Sequence, residues 1–269
     1  MDPYHKETEE WRRSADENLK KENGWLALAG LFWLDEGDNN FGTDPSNEFV
    51  LPSDSAPDRV GVFILRKGQV SLQVLEGVSV QIDGEDVKEA ILMPDVSGSP
   101  TLISFGHLTF ILIEREDGLG IRFWDNQRQE RIDFPGRKWY PIQKKFLVRG
   151  SYQSFDEDLE LIMSRKNGSD FHDQAQGQVI FLLDGKDHKL VVFEQEDGSL
   201  FTMFLDQTSG KDSYGSGRYL VVDPPKKKIV EIDFNRAYNP PCAFTDFATC
   251  PLPPHQNRLD IAMLAGERI

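Results

Sequence analysis

From Phe49 onward, short β-branched and aromatic runs in this chain are cut by turn residues, and this punctuation constrains the fold more than any other feature. Val60–Leu65 and Val70–Val74 flank Lys67-Gly68, and Val78, Val80 and Ile82 alternate with Ser79 and Gln81 before Asp83-Gly84. Asp-Gly recurs at 117–118, 184–185 and 197–198, each time between apolar segments. A two-residue hairpin loop needs positive φ at its central positions, which Asp-Gly adopts readily, so the pattern predicts successive antiparallel hairpins. No Gly-x-Gly-x-x-Gly or phosphate-loop motif opens a helix, and strands do not alternate with long helices. This pattern disfavours a doubly wound α/β fold. The expected fold is mainly β, an antiparallel barrel or sandwich built of successive hairpins.

One helix is expected, from Thr8 to Asn23, with Trp11, Ala15 and Leu19 on one face and Gly24 as its stop. Trp25–Leu34 is nearly all apolar and reads equally as a buried strand or a second helical piece. Glu114–Gly118 before Ile121–Asp125 is echoed by Glu194–Gly198 before Phe201–Asp206, which suggests two similar β-halves. The chain is read as one unit over 1–269. Its candidate subdivision is 1–156 (helix and first β-half), 157–178 (a polar connection) and 179–269 (second β-half with a Pro-rich loop).

At 269 residues and 39% hydrophobic, the chain can bury a large core without disulfide or metal support. Asp and Glu outnumber Lys and Arg 45 to 30, a net charge of −15 that repels nucleic-acid phosphates and anionic lipid headgroups. Neither nucleic acid nor a membrane surface is an expected partner; a small-molecule ligand is. The N-terminus lacks an apolar signal core, and no uncharged run approaches the ~20 residues that span a bilayer, so a cytoplasmic location is expected. Asn167-Gly168-Ser169 matches a glycosylation acceptor and is read as chance.

Chemistry concentrates in two stiff segments. Pro240, Pro241, Pro251, Pro253 and Pro254 exclude a helix or interior strand near the C-terminus and leave an ordered loop. Its polar side chains are Asn235, Arg236, Asn239, Cys242, Thr245, Asp246, Thr249, Cys250, Asn257 and Arg258. The second segment, Asp206–Gly210 with Tyr214–Arg218, is glycine-rich and separates two apolar strands. Under a functional reading Arg218, Arg236 and Arg258 orient an anionic substrate, with Asn239 and Asn257 as further ligand contacts, while Asp206 or Tyr214 handles protons. Under the structural reading the same arginines pair with carboxylates such as Asp223, Asp246 or Glu267 and pin the loops.

Cys242 and Cys250 are the only cysteines. Three readings compete: buried thiols or a disulfide, a zinc site with His255 and Asp246, and a nucleophilic or redox Cys242 activated by a nearby cation. Trp124, Trp139 and Tyr140, with Arg137, line a pocket or belong to the core or its rim. Gly215-Ser216-Gly217 falls one residue short of a nucleophile elbow.

Several segments together resemble the bacterial and archaeal domain-of-unknown-function family 1684. They are Asp233–Leu259, Gly24–Leu28, Phe134–Pro141, Asp206–Gly210, Tyr214–Arg218 and the closing Ala265–Glu267. The sequence departs from the family pattern at His255, where a proline is expected. The resemblance implies no activity, cofactor or catalytic residue. Two functions therefore stand: an enzyme acting on a small anionic or polar metabolite at the two loops, or a non-catalytic β-barrel module holding an apolar ligand among the 18 Phe and 5 Trp.

Overall fold

A computed structural model of the chain describes every residue except Met1, Asp117 and Asn167. The turn expected at Asp117-Gly118 and the acceptor at Asn167 therefore fall on residues outside the described set. The structure is mainly β and antiparallel, with helix α1 at Pro3–Lys20. The helix begins earlier than Thr8 because Pro3 suits the first helical position, its fixed φ and missing N–H costing nothing there. Trp25–Leu34 resolves as a strand, β1 (Leu28–Trp33).

Contacts divide the chain into two compact units, Leu19–Phe134 and Met1–Asn18 with Pro135–Ile269. In Leu19–Phe134 one six-stranded sheet runs β1, β11 (Gly118–Asp125), β10 (Leu108–Arg115), β9 (Ile103–Phe105), β6 (Val80–Ile82), β7 (Glu85–Val87). The other, five-stranded, runs β3 (Phe49–Val50), β2 (Gly37–Gly42), β4 (Gly61–Arg66), β5 (Gln69–Val74), β8 (Glu89–Ile91). Phe41 and Phe63 of the second sheet join Phe110 and Phe123 of the first in one core, so this unit is a sandwich. The short helix α2 (Gln129–Ile132) follows it.

The second unit carries a six-stranded sheet in the order β17 (Arg218–Val222), β16 (Leu200–Phe204), β15 (Lys186–Glu194), β14 (Asp170–Leu183), β13 (Leu147–Ser164), β18 (Ile229–Asp233). One face is filled by Phe146, Phe181, Phe204, Phe234 and their aliphatic neighbours, so the sheet's interior is occupied by its own side chains. A small ribbon pairs β12 (Lys138–Trp139) with β19 (Glu267–Arg268).

Lys67-Gly68, Asp83-Gly84 and Asp184-Gly185 each join paired strands with both residues at positive φ, as two-residue loops demand. Asp197-Gly198 differs. Five residues separate Glu194 from Leu200, positive φ falls on Gly198 and not Asp197, and the Asp197 carboxylate accepts the Ser199 N–H at 2.9 Å. Residues 157–178, expected as a connection, instead form most of the β13–β14 hairpin, which is interrupted by a bulge between Ser154 and Leu159. These residues read as a loop because 156–160 of β13 are exposed on both faces. The alternating burial beyond them, at Leu161, Met163 and Ala175, is masked in the sequence by apolar Ile162 at an exposed position and by the mostly polar run at 172–178. The two echoed hairpins lie in different units, β10–β11 and β15–β16, and the strand orders around them differ.

Among the described residues no helix is long and apolar enough to cross a membrane.

Candidate functional site

The two loops expected to carry chemistry do meet within the second unit, but most of their arginines do not face a shared hollow. Arg218 opens β17 and is fully buried against Asp206, with Nη2 to Oδ2 at 2.7 Å. Its Nη1 donates to the carbonyls of Ala265 and Glu267, and Nη2 also donates to the Met263 carbonyl at 2.9 Å. Asp206 accepts the N–H groups of Thr208 and Met263. This pair ties the 206–218 loop to the C-terminal segment, leaving the Arg218 Nε as its unpartnered nitrogen. Neither residue presents a charge to a ligand, which corrects the expectation for both.

Asn257 is likewise spent internally: its Nδ2 donates to the Val191 and Met203 carbonyls and the Thr202 hydroxyl, and its Oδ1 accepts the Val191 N–H at 2.7 Å. Arg236 pairs with Glu7 at 2.6 Å and Asp233 at 3.3 Å, the acids differing from those expected. Arg258 is exposed, with its backbone bridged to Leu205. The three arginines therefore do not converge.

A different guanidinium occupies the position those were expected to fill. Gly136, at φ 95°, turns the chain into Arg137, whose side chain is 7% exposed and lies between Trp139 and Phe244, each ring 5.7 Å from its Cζ. Arg137 Nε lies 3.5 Å from Glu267 Oε2 and 3.7 Å from Asp16 Oδ1, close enough for charge attraction and too far for good hydrogen bonds. Among the described residues its Nε and Nη1 have no hydrogen-bond partner, nor do Asp16 Oδ1 and Asn239 Oδ1. Helix α1 supplies Asp16, whose Oδ2 accepts the Arg137 N–H at 3.3 Å. Trp11, on the same helix, packs edge-on to Trp139 at 5.9 Å.

Glu267 is held from the other side. Asn239, at the start of the Pro-rich segment, donates its N–H at 2.8 Å and its Nδ2 at 2.9 Å to the two carboxylate oxygens. Burial nonetheless dominates and pushes the Glu267 carboxyl up to about 7, against the lowering pull of Arg137 and Asn239. Burial raises Asp16 too. The cluster thus offers two free donors, two free acceptors and a carboxyl that titrates near neutrality. Tyr140, expected alongside Trp139, directly follows the strand and lies near Thr208, Asp206 and Arg218, away from the Arg137 cluster.

The second chemical cluster holds Cys242, Cys250, Ala248 and Tyr214. Both cysteines are free and buried, and the Cys242 N–H donates to Cys250 Sγ at 3.2 Å. The Tyr214 hydroxyl donates to the Cys242 carbonyl at 2.8 Å, so the glycine-rich loop touches the Pro-rich one here. A hydrogen bond from Cys250 lowers the Cys242 thiol to about 7, and the same bond pushes Cys250 up. Burial pushes Tyr214 up to about 12, which keeps its proton on the hydroxyl at neutral pH. Among the described residues no group of three or more His, Cys, Asp or Glu side chains is placed to hold a metal, so Asp246 and His255 do not complete a zinc site with the cysteines.

A family model described as "Protein of unknown function (DUF1684)" matches residues 132–268. The chain belongs to the DUF1684 family. The match takes in the Phe134–Pro141 segment, both loops and Glu267; Gly24–Leu28 lies outside it. An uncharacterised protein of Haloarcula marismortui, solved by NMR, is 31% identical over 52% of this chain and 80% of its own, with a TM-score of 0.44. A chain from a crystal structure of the FhaA FHA domain complexed with the intracellular domain of Rv3910 is 19% identical over 34% of this chain and 85% of its own, with a TM-score of 0.26. A likeness this loose says nothing about ligand or partner. No curated protein matches the chain.

Proposed function

We propose that the DUF1684 unit is an enzyme acting on a small polar or anionic metabolite at the Arg137–Glu267 cluster. The observation that carries this reading is a guanidinium 7% exposed, with two nitrogens lacking hydrogen-bond partners among the described residues, beside a carboxyl poised near neutrality. Buried polar atoms are nearly always hydrogen-bonded, so a group of unpaired donors and acceptors in one place marks where another molecule fits. Arg137 orients the ligand through its fork, Asn239 Oδ1 and Asp16 Oδ1 accept from it, and Glu267 moves a proton at pH values near its own pKa. The matching ligand presents oxygen acceptors to Arg137 and at least one donor to the acids, as a hydroxy- or amino-carboxylate does.

The competing reading, a barrel holding an apolar ligand, requires space that Phe146, Phe181, Phe204 and Phe234 fill. The test is a thermal-shift titration of the full chain against hydroxy-, keto- and amino-carboxylates and phosphate esters, with turnover followed for each binder. Binding should vanish in Arg137→Ala, while Glu267→Gln should keep binding and lose turnover. Equal binding by wild type and Arg137→Ala would overturn the assignment.

A further inference from the structure

The cysteine pair carries a chemistry separate from the Arg137 cluster. Cys242 sits in a 3-10 turn that Pro241 opens, and Cys250 directly precedes Pro251. Short-range contacts fix both ends: the Cys250 carbonyl accepts the Lys166 N–H at 2.9 Å, the Pro251 carbonyl accepts the Tyr219 hydroxyl at 2.7 Å, and Tyr214 holds the Cys242 carbonyl. The Cys242 N–H donates to Cys250 Sγ at 3.2 Å, and both residues belong to one buried cluster, so the loop holds the two cysteines side by side. They differ in environment: the Tyr214 hydroxyl and Lys166 lie on the Cys242 side, whereas burial and the side-chain bond to Cys242 hold Cys250 in its thiol form even though its sulfur accepts the Cys242 N–H. Such asymmetry separates an attacking thiol from a resolving one.

We infer that Cys242 and Cys250 form a redox site that reduces hydrogen peroxide or a small organic hydroperoxide, with Cys242 attacking and Cys250 resolving. Cys242 thiolate attacks one peroxide oxygen, the O–O bond breaks, and Cys242 becomes a sulfenic acid as hydroxide leaves hydrogen peroxide, or the alkoxide leaves an organic hydroperoxide, and takes up the proton that the thiol released. Cys250 sulfur then displaces the sulfenic oxygen, which leaves as water with the Cys250 proton, and the S–S bond forms. Two thiols lose two electrons together and the peroxide gains them. Both cysteines are buried, at 7% and 4% exposure, which suits an oxidant as small as hydrogen peroxide. The position of Asn239, three residues before Cys242 and bonded to Glu267, places this chemistry next to the other cluster without sharing a reacting group.

The experiment uses the full reduced chain, hydrogen peroxide as probe and intact-mass spectrometry with thiol titration. Wild type should lose both titratable thiols together, with a mass fall of about 2 Da that dithiothreitol reverses. Cys250→Ser should trap Cys242 as a sulfenic acid captured by dimedone, while Cys242→Ser should leave Cys250 at least ~10-fold slower to oxidise. Far-ultraviolet circular dichroism establishes that each variant is folded. Independent oxidation of the two thiols in wild type, equal rates in the two variants, or oxidation no faster than that of free cysteine would overturn the assignment.

Discussion

Two buried arginine–carboxylate pairs lie in the same unit of this protein, and they are built to opposite ends. Arg218 and Asp206 meet at 2.7 Å with both side chains fully buried, and their other hydrogen bonds go to backbone groups of 263–267 and Thr208, which leaves Arg218 Nε as the one guanidinium nitrogen without a partner among the described residues. Arg137 and Glu267 come no closer than 3.5 Å, and the guanidinium keeps two nitrogens unpartnered among the described residues. A saturated pair fixes a conformation; a loose one retains interaction capacity for something else. Burial alone does not separate the two pairs. The count of satisfied donors does.

Breaking the saturated pair should have the largest effect. Arg218→Ala leaves Asp206 charged and buried, and should cost about 3–5 kcal/mol in urea unfolding. A loss under ~1 kcal/mol would mean that the two pairs are not different in kind. Next comes the pH dependence supplied by Glu267. Its folded-state pKa of about 7 lies above the ordinary 4.5, so the folded state binds the extra proton. The stability this provides is fully present below about pH 4.5 and is lost as pH rises through about 7, a change of about 3 kcal/mol. Glu267→Gln should flatten that part of the stability–pH curve.

Arg137→Ala should cost less than the saturated pair, below about 2 kcal/mol at pH 6, where Glu267 is mostly protonated and needs no partner. A cost equal to that of Arg218→Ala would make the cluster a structural lock after all. The smallest effect is expected at Arg236, 28% exposed and paired with the open carboxylate of Glu7. Arg236→Ala should change stability by under about 1 kcal/mol and leave ligand binding intact.

Much of the scaffold was legible because hairpin chemistry is local. Positive φ at Asp83-Gly84 and Asp184-Gly185, and at Gly68, follows from residue type, whereas at Lys67 the two-residue loop itself imposes it. The β13–β14 hairpin is not legible in the sequence, since 156–160 are exposed on both faces and elsewhere the alternation of burial is not matched by residue type, Ile162 being apolar at an exposed position and 172–178 being mostly polar. The candidate site was half visible. Its loops, Asn239 and the cysteine pair stood out from proline, glycine and rarity, but which arginine stays open depends on pairing across 130 residues between Arg137 and Glu267. Sequence proximity favoured Arg218 and Arg236, and three-dimensional pairing assigned them elsewhere. Arg137 and Tyr140 were noticed beside Trp139 without a signal to rank them above core. Asp16 was hidden on a helix whose expected face was drawn through Trp11, Ala15 and Leu19.

The most direct test of the loose pair is a carboxyl carbon NMR titration of Glu267 in wild type and Arg137→Ala. A midpoint near pH 7 in wild type that moves higher when Arg137 is removed is the expected result, because the guanidinium favours the charged carboxylate. A midpoint close to the ordinary value of 4.5, unmoved by the substitution, would contradict the account.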